Sequence, residues 1–175
     1  LTLSASEIIE IIKNTDSKVF IYLAIAHEKG EAVEKELPNV KNILLDVSDS
    51  MPWYLKYLYR LKNKKDTLGK AYSLKDFLAL GENVEAKEAP YIKNTPAVIV
   101  YTSGTTGVPK GVVLSNDNLN AVAEQYSYTT FYFRMGDSLM DMLPPFLGFG
   151  ISIGIHLPLA LGMKSTLWID IEPGK

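Results

Sequence analysis

A chain of 175 residues with 47% hydrophobic and 22% charged side chains is long enough and apolar enough to build a core, which excludes a disordered tail. Its net charge of -2 gives no field that would gather nucleic acid, so no nucleic-acid partner is expected. The absence of cysteine removes disulfides, thiolate metal sites and cysteine nucleophiles together, and is compatible with the cytoplasmic location expected here.

The chain opens with a helix start. Ser4 is placed as N-cap with Glu7 three residues on, a capping box, and Leu3 and Ile8 are spaced as a hydrophobic staple. Ile8, Ile9 and Ile12 then line one face, and Asn14-Thr15-Asp16-Ser17 ends the helix. No charged-then-apolar leader precedes it, so no signal peptide is expected. Lys18–Ile25 is a near-continuous apolar run, the pattern of a strand buried on both faces. A helix follows from about Ala26 to Leu37, stopped by Pro38, and Val40–Val47 reads as a second buried strand. Strand, helix, strand at this spacing predicts a βαβ unit. His27, with Glu28 and Glu31 nearby, follows no metal-ligand spacing; a surface histidine is expected and no metal site.

Residues 51–70 form an unusual segment. Trp53, Tyr54, Tyr57, Leu58 and Leu61 share a face at helical spacing, with Lys56, Arg60, Lys62, Lys64 and Lys65 as a basic edge. One reading is an interfacial helix over 53–65 in weak contact with anionic lipid. The other, preferred here, is a surface helix whose aromatic face packs on its own domain while lysines snorkel. Further on, Ser73–Leu80 reads as a short helix, Ala97–Tyr101 as a third buried strand and Ser115–Tyr128 as a helix. Ser138–Leu143 reads as a strand, Phe149–Leu161 as a helix and Ser165–Ile169 as a last strand. The apolar run Ile151–Leu161 is too short for a bilayer span and is broken by Gly154, His156 and Pro158. Together these elements predict an α/β fold, an open, mostly parallel sheet with helices on both faces.

The chemically informative segment is Thr102-Ser103-Gly104-Thr105-Thr106-Gly107-Val108-Pro109-Lys110-Gly111. Its glycines let the backbone reach positive φ and approach a ligand closely. Successive free amides can converge on an anion, hydroxyls add donors, and Lys110 adds charge. A loop of this kind suits polyphosphate oxygens. It is not G-x-x-x-x-G-K-[ST], because its second glycine comes too early and glycine follows the lysine, and it is not G-x-G-x-x-G. It is bounded by the expected strand and by a helix that Ser115 caps, with Leu119, Val122, Ala123 and Tyr126 as the inward face.

Tyr101–Gly111, YTSGTTGVPKG, closely resembles the signature of the adenylate-forming superfamily, which comprises acyl-CoA synthetases, peptide-synthetase adenylation domains and luciferases. A weaker resemblance covers most of the chain. It implies that residues 1–175 are an internal fragment of the N-terminal adenylation domain, with its phosphate loop at 102–111 and other walls of the site elsewhere in a parent enzyme. The implied reaction activates a carboxylic acid, expected to be fatty or otherwise hydrophobic, with ATP and Mg2+. Acyl-AMP and pyrophosphate form first, and a thioester with coenzyme A follows. The resemblance assigns phosphate contacts to Thr102, Ser103, Gly104, Thr105, Thr106, Gly107 and Lys110, and implies that the fragment alone is inactive. An adenylating module serving amino acids or a carrier protein, or a non-catalytic nucleotide-binding protein of the same fold, stays open.

One departure stands out. Leu147 falls where many members carry a histidine beside the acyl-binding side. His156 lies nine residues on, about half a turn out of phase along an α-helix, so it is no simple replacement. Phe146 and Phe149 are expected in the core.

Overall fold

The computed structural model describes residues 3–62, 69–102, 110–129 and 133–168. The chain divides into two compact units, Leu1–Lys87 and Glu88–Lys175. The α/β reading holds. Among the described residues, the strands form three sheets, two parallel and one antiparallel.

In the first unit, helix α1 (Ala5–Thr15) starts as its capping box predicts. The Ser4 hydroxyl accepts from the Glu7 amide at 3.3 Å, and the Glu7 carboxylate accepts from the Ser4 amide at 2.7 Å. It ends at Asp16, which takes the left-handed conformation at φ 49°, tolerable for a short polar residue. Strand β1 (Val19–Leu23), helix α2 (His27–Glu36) and strand β2 (Lys41–Leu45) make the expected βαβ unit, with Val19 beside Lys41 and Leu23 beside Leu45 in parallel register. Ile9 and Ile12 of α1 meet Val33 of α2, with Ile8, Phe20 and Val40 packed around them. A second cluster joins Tyr22, Leu44 and Ala71, and the rings of Phe20 and Tyr22 stack at 5.2 Å.

The expectation that β1 is buried on both faces is corrected. Tyr22 is buried, whereas Val19, Ile21 and Leu23 are exposed. Alternation sends Phe20 and Tyr22 to the side where α1 and α2 pack, and the other side of this outer strand meets no comparable layer within the unit. His27 is corrected too. It is not a free surface histidine: its ring is largely buried, with Nε2 3.2 Å from the Glu31 carboxylate one helical turn on.

Helix α3 (Trp53–Lys62) follows a short 3-10 turn at Val47–Ser50. Its Lys56 ammonium bonds the Asp49 carboxylate at 2.6 Å. The preferred expectation, that its aromatic face packs inward, fails: Trp53, Tyr54, Tyr57 and Leu58 are exposed. The unit closes with a two-residue strand β3 (Tyr72–Ser73), which pairs parallel to β2, and helix α4 (Leu74–Ala79), capped by Ser73. β3 is too short to leave a period in the sequence. No helix of the described residues is long and apolar enough to cross a membrane.

The second unit holds an antiparallel hairpin of β4 (Pro96–Thr102) and β5 (Lys110–Ser115), then helix α5 (Asn116–Ser127). Strand β6 (Ser138–Asp141) pairs parallel to β7 (Lys164–Leu167). A π-helical segment, Gly150–His156, and helix α6 (Leu157–Leu161) make the crossover between them. Ala123 of α5 packs on Ile153 and Leu157, flanked by Val122, Tyr126, Leu139 and Leu161. The inward face expected for α5 is therefore the observed one.

Two expectations change here. Residues 97–101 form a strand, yet within it Val100 alone is buried, because β4 pairs in an isolated hairpin. Helix 149–161 exists, but its first part is π-helical, so the α-helical phase between Leu147 and His156 does not apply.

Candidate functional site

The hairpin is fixed at its open end, away from the connection between its strands. The Asn116 amide donates to the Thr95 carbonyl at 3.0 Å, and the Asn116 side chain donates to the Ile92 carbonyl at 3.1 Å. The Asp117 carboxylate accepts from the Tyr91 hydroxyl and from the Asn94 amide, where the backbone turns through φ 59°. The Tyr91 hydroxyl is the main cause that holds the Asp117 carboxyl below its ordinary range, with the Asn94 amide second. The same bond pushes the Tyr91 phenol up. Ser115 ends β5 and caps α5 at once, its hydroxyl accepting from the Asn118 amide at 3.2 Å. Strand and helix are therefore joined without a loop.

At the other end the register pairs Thr102 with Lys110, and the Thr102 hydroxyl donates to the Lys110 carbonyl at 3.5 Å. Both residues are exposed. Residues 103–109 connect them. Of the seven residues expected to touch phosphate, Thr102 and Lys110 are thus brought side by side; Ser103, Gly104, Thr105, Thr106 and Gly107 lie outside the described residues. Lys110 and Gly111 belong to β5, a strand the sequence reading passed over. At Gly111 a Cβ would sit 3.0 Å from the Ile99 side chain and 3.2 Å from the Tyr101 ring. Its glycine serves cross-strand packing there.

The segment after β6 carries Leu147, at the position where the resemblance implies a histidine. Leu147 is exposed, as are Phe146 and Phe149, so the expectation that these two phenylalanines are core is corrected. The chain turns at Pro144-Pro145, and Gly150 presses on the Pro144 carbonyl, where a Cβ would approach to 2.1 Å. That contact seats the backbone inward and leaves the rings out. His156 bonds Asn120 of α5 through Nε2 at 3.0 Å.

One feature escaped the sequence reading. Asp141 is buried at the end of β6. One carboxylate oxygen accepts from the Leu143 amide at 3.0 Å, and the other faces Gly154 of the π-helical segment, where a Cβ would lie 2.2 Å from it. The acidic residue inside the alternating apolar run Leu139-Met140-Asp141-Met142-Leu143 was the available signal.

The family described as AMP-binding enzyme matches residues 1–172. The chain belongs to that family. Among curated AMP-binding relatives, the human long-chain-fatty-acid–CoA ligase ACSBG2 is 34% identical over 116 residues, covering 62% of this chain and 17% of that protein. A Bacillus subtilis long-chain-fatty-acid–CoA ligase is 28% identical over 171 residues, covering 93% of this chain and 30% of that protein. Among solved structures, the anthranilate CoA ligase AuaEII in complex with anthranoyl-AMP matches with a TM-score of 0.73 at 18% identity, over 95% of this chain and 29% of that one. That likeness is one of fold. This AMP-binding chain spans less than a third of the length of each of the three.

Proposed function

We propose that the chain forms the triphosphate-gripping part of an ATP-dependent acid–CoA ligase. The observation that carries this reading is the Thr102–Lys110 pair, which closes an antiparallel hairpin around the connection Ser103-Gly104-Thr105-Thr106-Gly107-Val108-Pro109. A hairpin anchored at its far end fixes Thr102 and Lys110, the two ends of that connection, and amides and hydroxyls are the donors an anion needs. Thr102, Ser103, Thr105 and Thr106 supply hydroxyl donors, Gly104 and Gly107 supply close amides, and Lys110 supplies charge. The exposed, adjacent Thr102 and Lys110 fit phosphate oxygens chemically.

In the reaction, a carboxylate oxygen attacks the α-phosphorus of ATP. The bond to the bridging oxygen breaks, giving acyl-AMP and pyrophosphate, and the loop stabilises the charge that gathers on the departing pyrophosphate. Mg2+, when bound with ATP, would supply further positive charge to the same oxygens. The thiol of coenzyme A then displaces AMP from the acyl carbon. The naming of the relatives as long-chain-fatty-acid–CoA ligases supports a fatty or other hydrophobic acid as substrate. The cysteine-free composition supports a cytoplasmic enzyme. Because the chain covers so little of its relatives' length, it is proposed to act within a longer protein and not to turn over alone.

Hydroxylamine trapping tests the first half-reaction. The full-length enzyme, given ATP, Mg2+ and a panel of carboxylic acids, is expected to release hydroxamate of the longer-chain acids and AMP. Adding coenzyme A should divert that product to thioester. Hydroxamate that is diverted by a carrier protein and not by coenzyme A would replace the acceptor. No hydroxamate from any acid would remove the ligase reading.

A further inference from the structure

Gly111 stands in a strand whose backbone does not need it. A glycine inside a strand weakens it and packs nothing of its own, so its presence marks a close approach by another group. Among the described glycines, Gly69, Gly136 and Gly162 take positive φ and Gly111 does not, so no turn requires it. A ring does. The register sets Tyr101 opposite Gly111 and Ile99 opposite Val113, and directly opposed residues share a face. A Cβ at Gly111 would meet the Ile99 side chain at 3.0 Å, and the hydroxyl end of the Tyr101 ring at 3.2 Å and 3.4 Å. The ring therefore lies across β5 in the room that a side chain at residue 111 would fill.

This contact is placed one residue inside the pair that bounds the connection 103–109. Tyr101 precedes Thr102, and Gly111 follows Lys110. Alternation puts the Thr102 and Lys110 side chains on the opposite face of the hairpin from the ring. The ring acts on them through the two backbones and not by touching what they hold. Side-chain bonding alone fixes the pair poorly, since the Thr102 hydroxyl meets the Lys110 carbonyl at 3.5 Å, the outer limit of a hydrogen bond. We infer that Gly111 and Tyr101 are positioning residues: the ring laid over the glycine clasps β4 to β5 and sets Thr102 and Lys110 at the spacing that phosphate oxygens require. This role rests on the reading of the hairpin as a triphosphate grip.

The test compares full-length wild-type enzyme with Gly111→Val, Tyr101→Phe, Tyr101→Ala and the Gly111→Val, Tyr101→Ala pair, in hydroxamate formation from ATP and a long-chain carboxylic acid. Valine favours strand, so Gly111→Val keeps the ladder while it displaces the ring. Misplacing a binding group by about 1 Å costs up to ~100-fold, so the smaller shift forced here should raise the KM for ATP about ten-fold and leave that for the acid unchanged. Tyr101→Phe keeps the ring and should match wild type. Tyr101→Ala should raise the KM for ATP, and adding Gly111→Val to it should raise it no further, because the two residues share one contact. An unchanged KM for ATP in Gly111→Val would overturn the proposal, even with a lowered melting temperature, which would leave the glycine a packing residue only. So would a further rise in the paired variant, the mark of Gly111 as a direct phosphate contact, and so would a Tyr101→Phe enzyme as impaired as Tyr101→Ala. Wild-type enzyme that yields no hydroxamate with any acid removes the ligase reading and this role together, whereas the other contrary outcomes strike the role alone.

Discussion

Asp141 and Gly154 show how a single atom sets what a position can hold. A methyl group at residue 154 would stand 2.2 Å from a buried carboxylate oxygen, so Gly154→Ala must push either the π-helical segment or the strand end aside. Overpacking of this kind costs about 1–3 kcal/mol, and chemical denaturation should show a midpoint lowered accordingly. Combining it with Asp141→Ala should recover part of the loss, because the two residues share one contact and their effects do not add. Asp117 makes a different prediction. Its carboxyl is held below its ordinary value, first by Tyr91 and then by the Asn94 amide. A depressed acid contributes its stabilisation in full above the unfolded value and loses it as pH falls through the folded one. Protection of the Asn94 amide, its exchange rate relative to an unstructured amide at the same pH, should therefore be full at neutral pH and fall below about pH 4, the ordinary carboxylate range. In Asp117→Asn that acid-dependent step should vanish.

Short elements were legible where local chemistry alone decides them. The capping box of α1 could be placed from Ser4-x-x-Glu7 and the N-cap of α5 from Ser115, and the inward faces of α1 and α5 followed from spacing, because a cap and a helical period are contained within a few residues. Replacing Ser115 by alanine should destabilise the start of α5 by about 1 kcal/mol. That loss should be visible as faster exchange of the Asn118 amide, with the far end of the helix unaffected. What the sequence hid was partnership between elements. β5 reads as a loop because Lys110-Gly111 opens it, and only pairing with β4 makes Lys110–Ser115 a strand. β1 reads as doubly buried because its residues are apolar, yet which face is covered depends on where α1 and α2 settle. The π-helical turn at Gly150–His156 has no distinct period that separates it from an α-helix.

At the scale of the molecule, composition and the strand–helix alternation were enough for the α/β class, and YTSGTTGVPKG was enough for the family. The candidate site was legible as a motif, while its mounting on a hairpin was not. Nor was the outward aromatic face of α3, since helical spacing fixes which residues share a side and leaves open which side meets protein. The central claim is that this hairpin grips the leaving phosphates while a carboxylate attacks the α-phosphorus. Pyrophosphate exchange into ATP by the full-length enzyme measures that step in isolation, with no acceptor thiol present. Exchange should require a carboxylic acid and should fall about 100-fold in Lys110→Ala, the size expected for one lost electrostatic contact. Folded enzyme that exchanges no pyrophosphate with any acid offered would contradict the account.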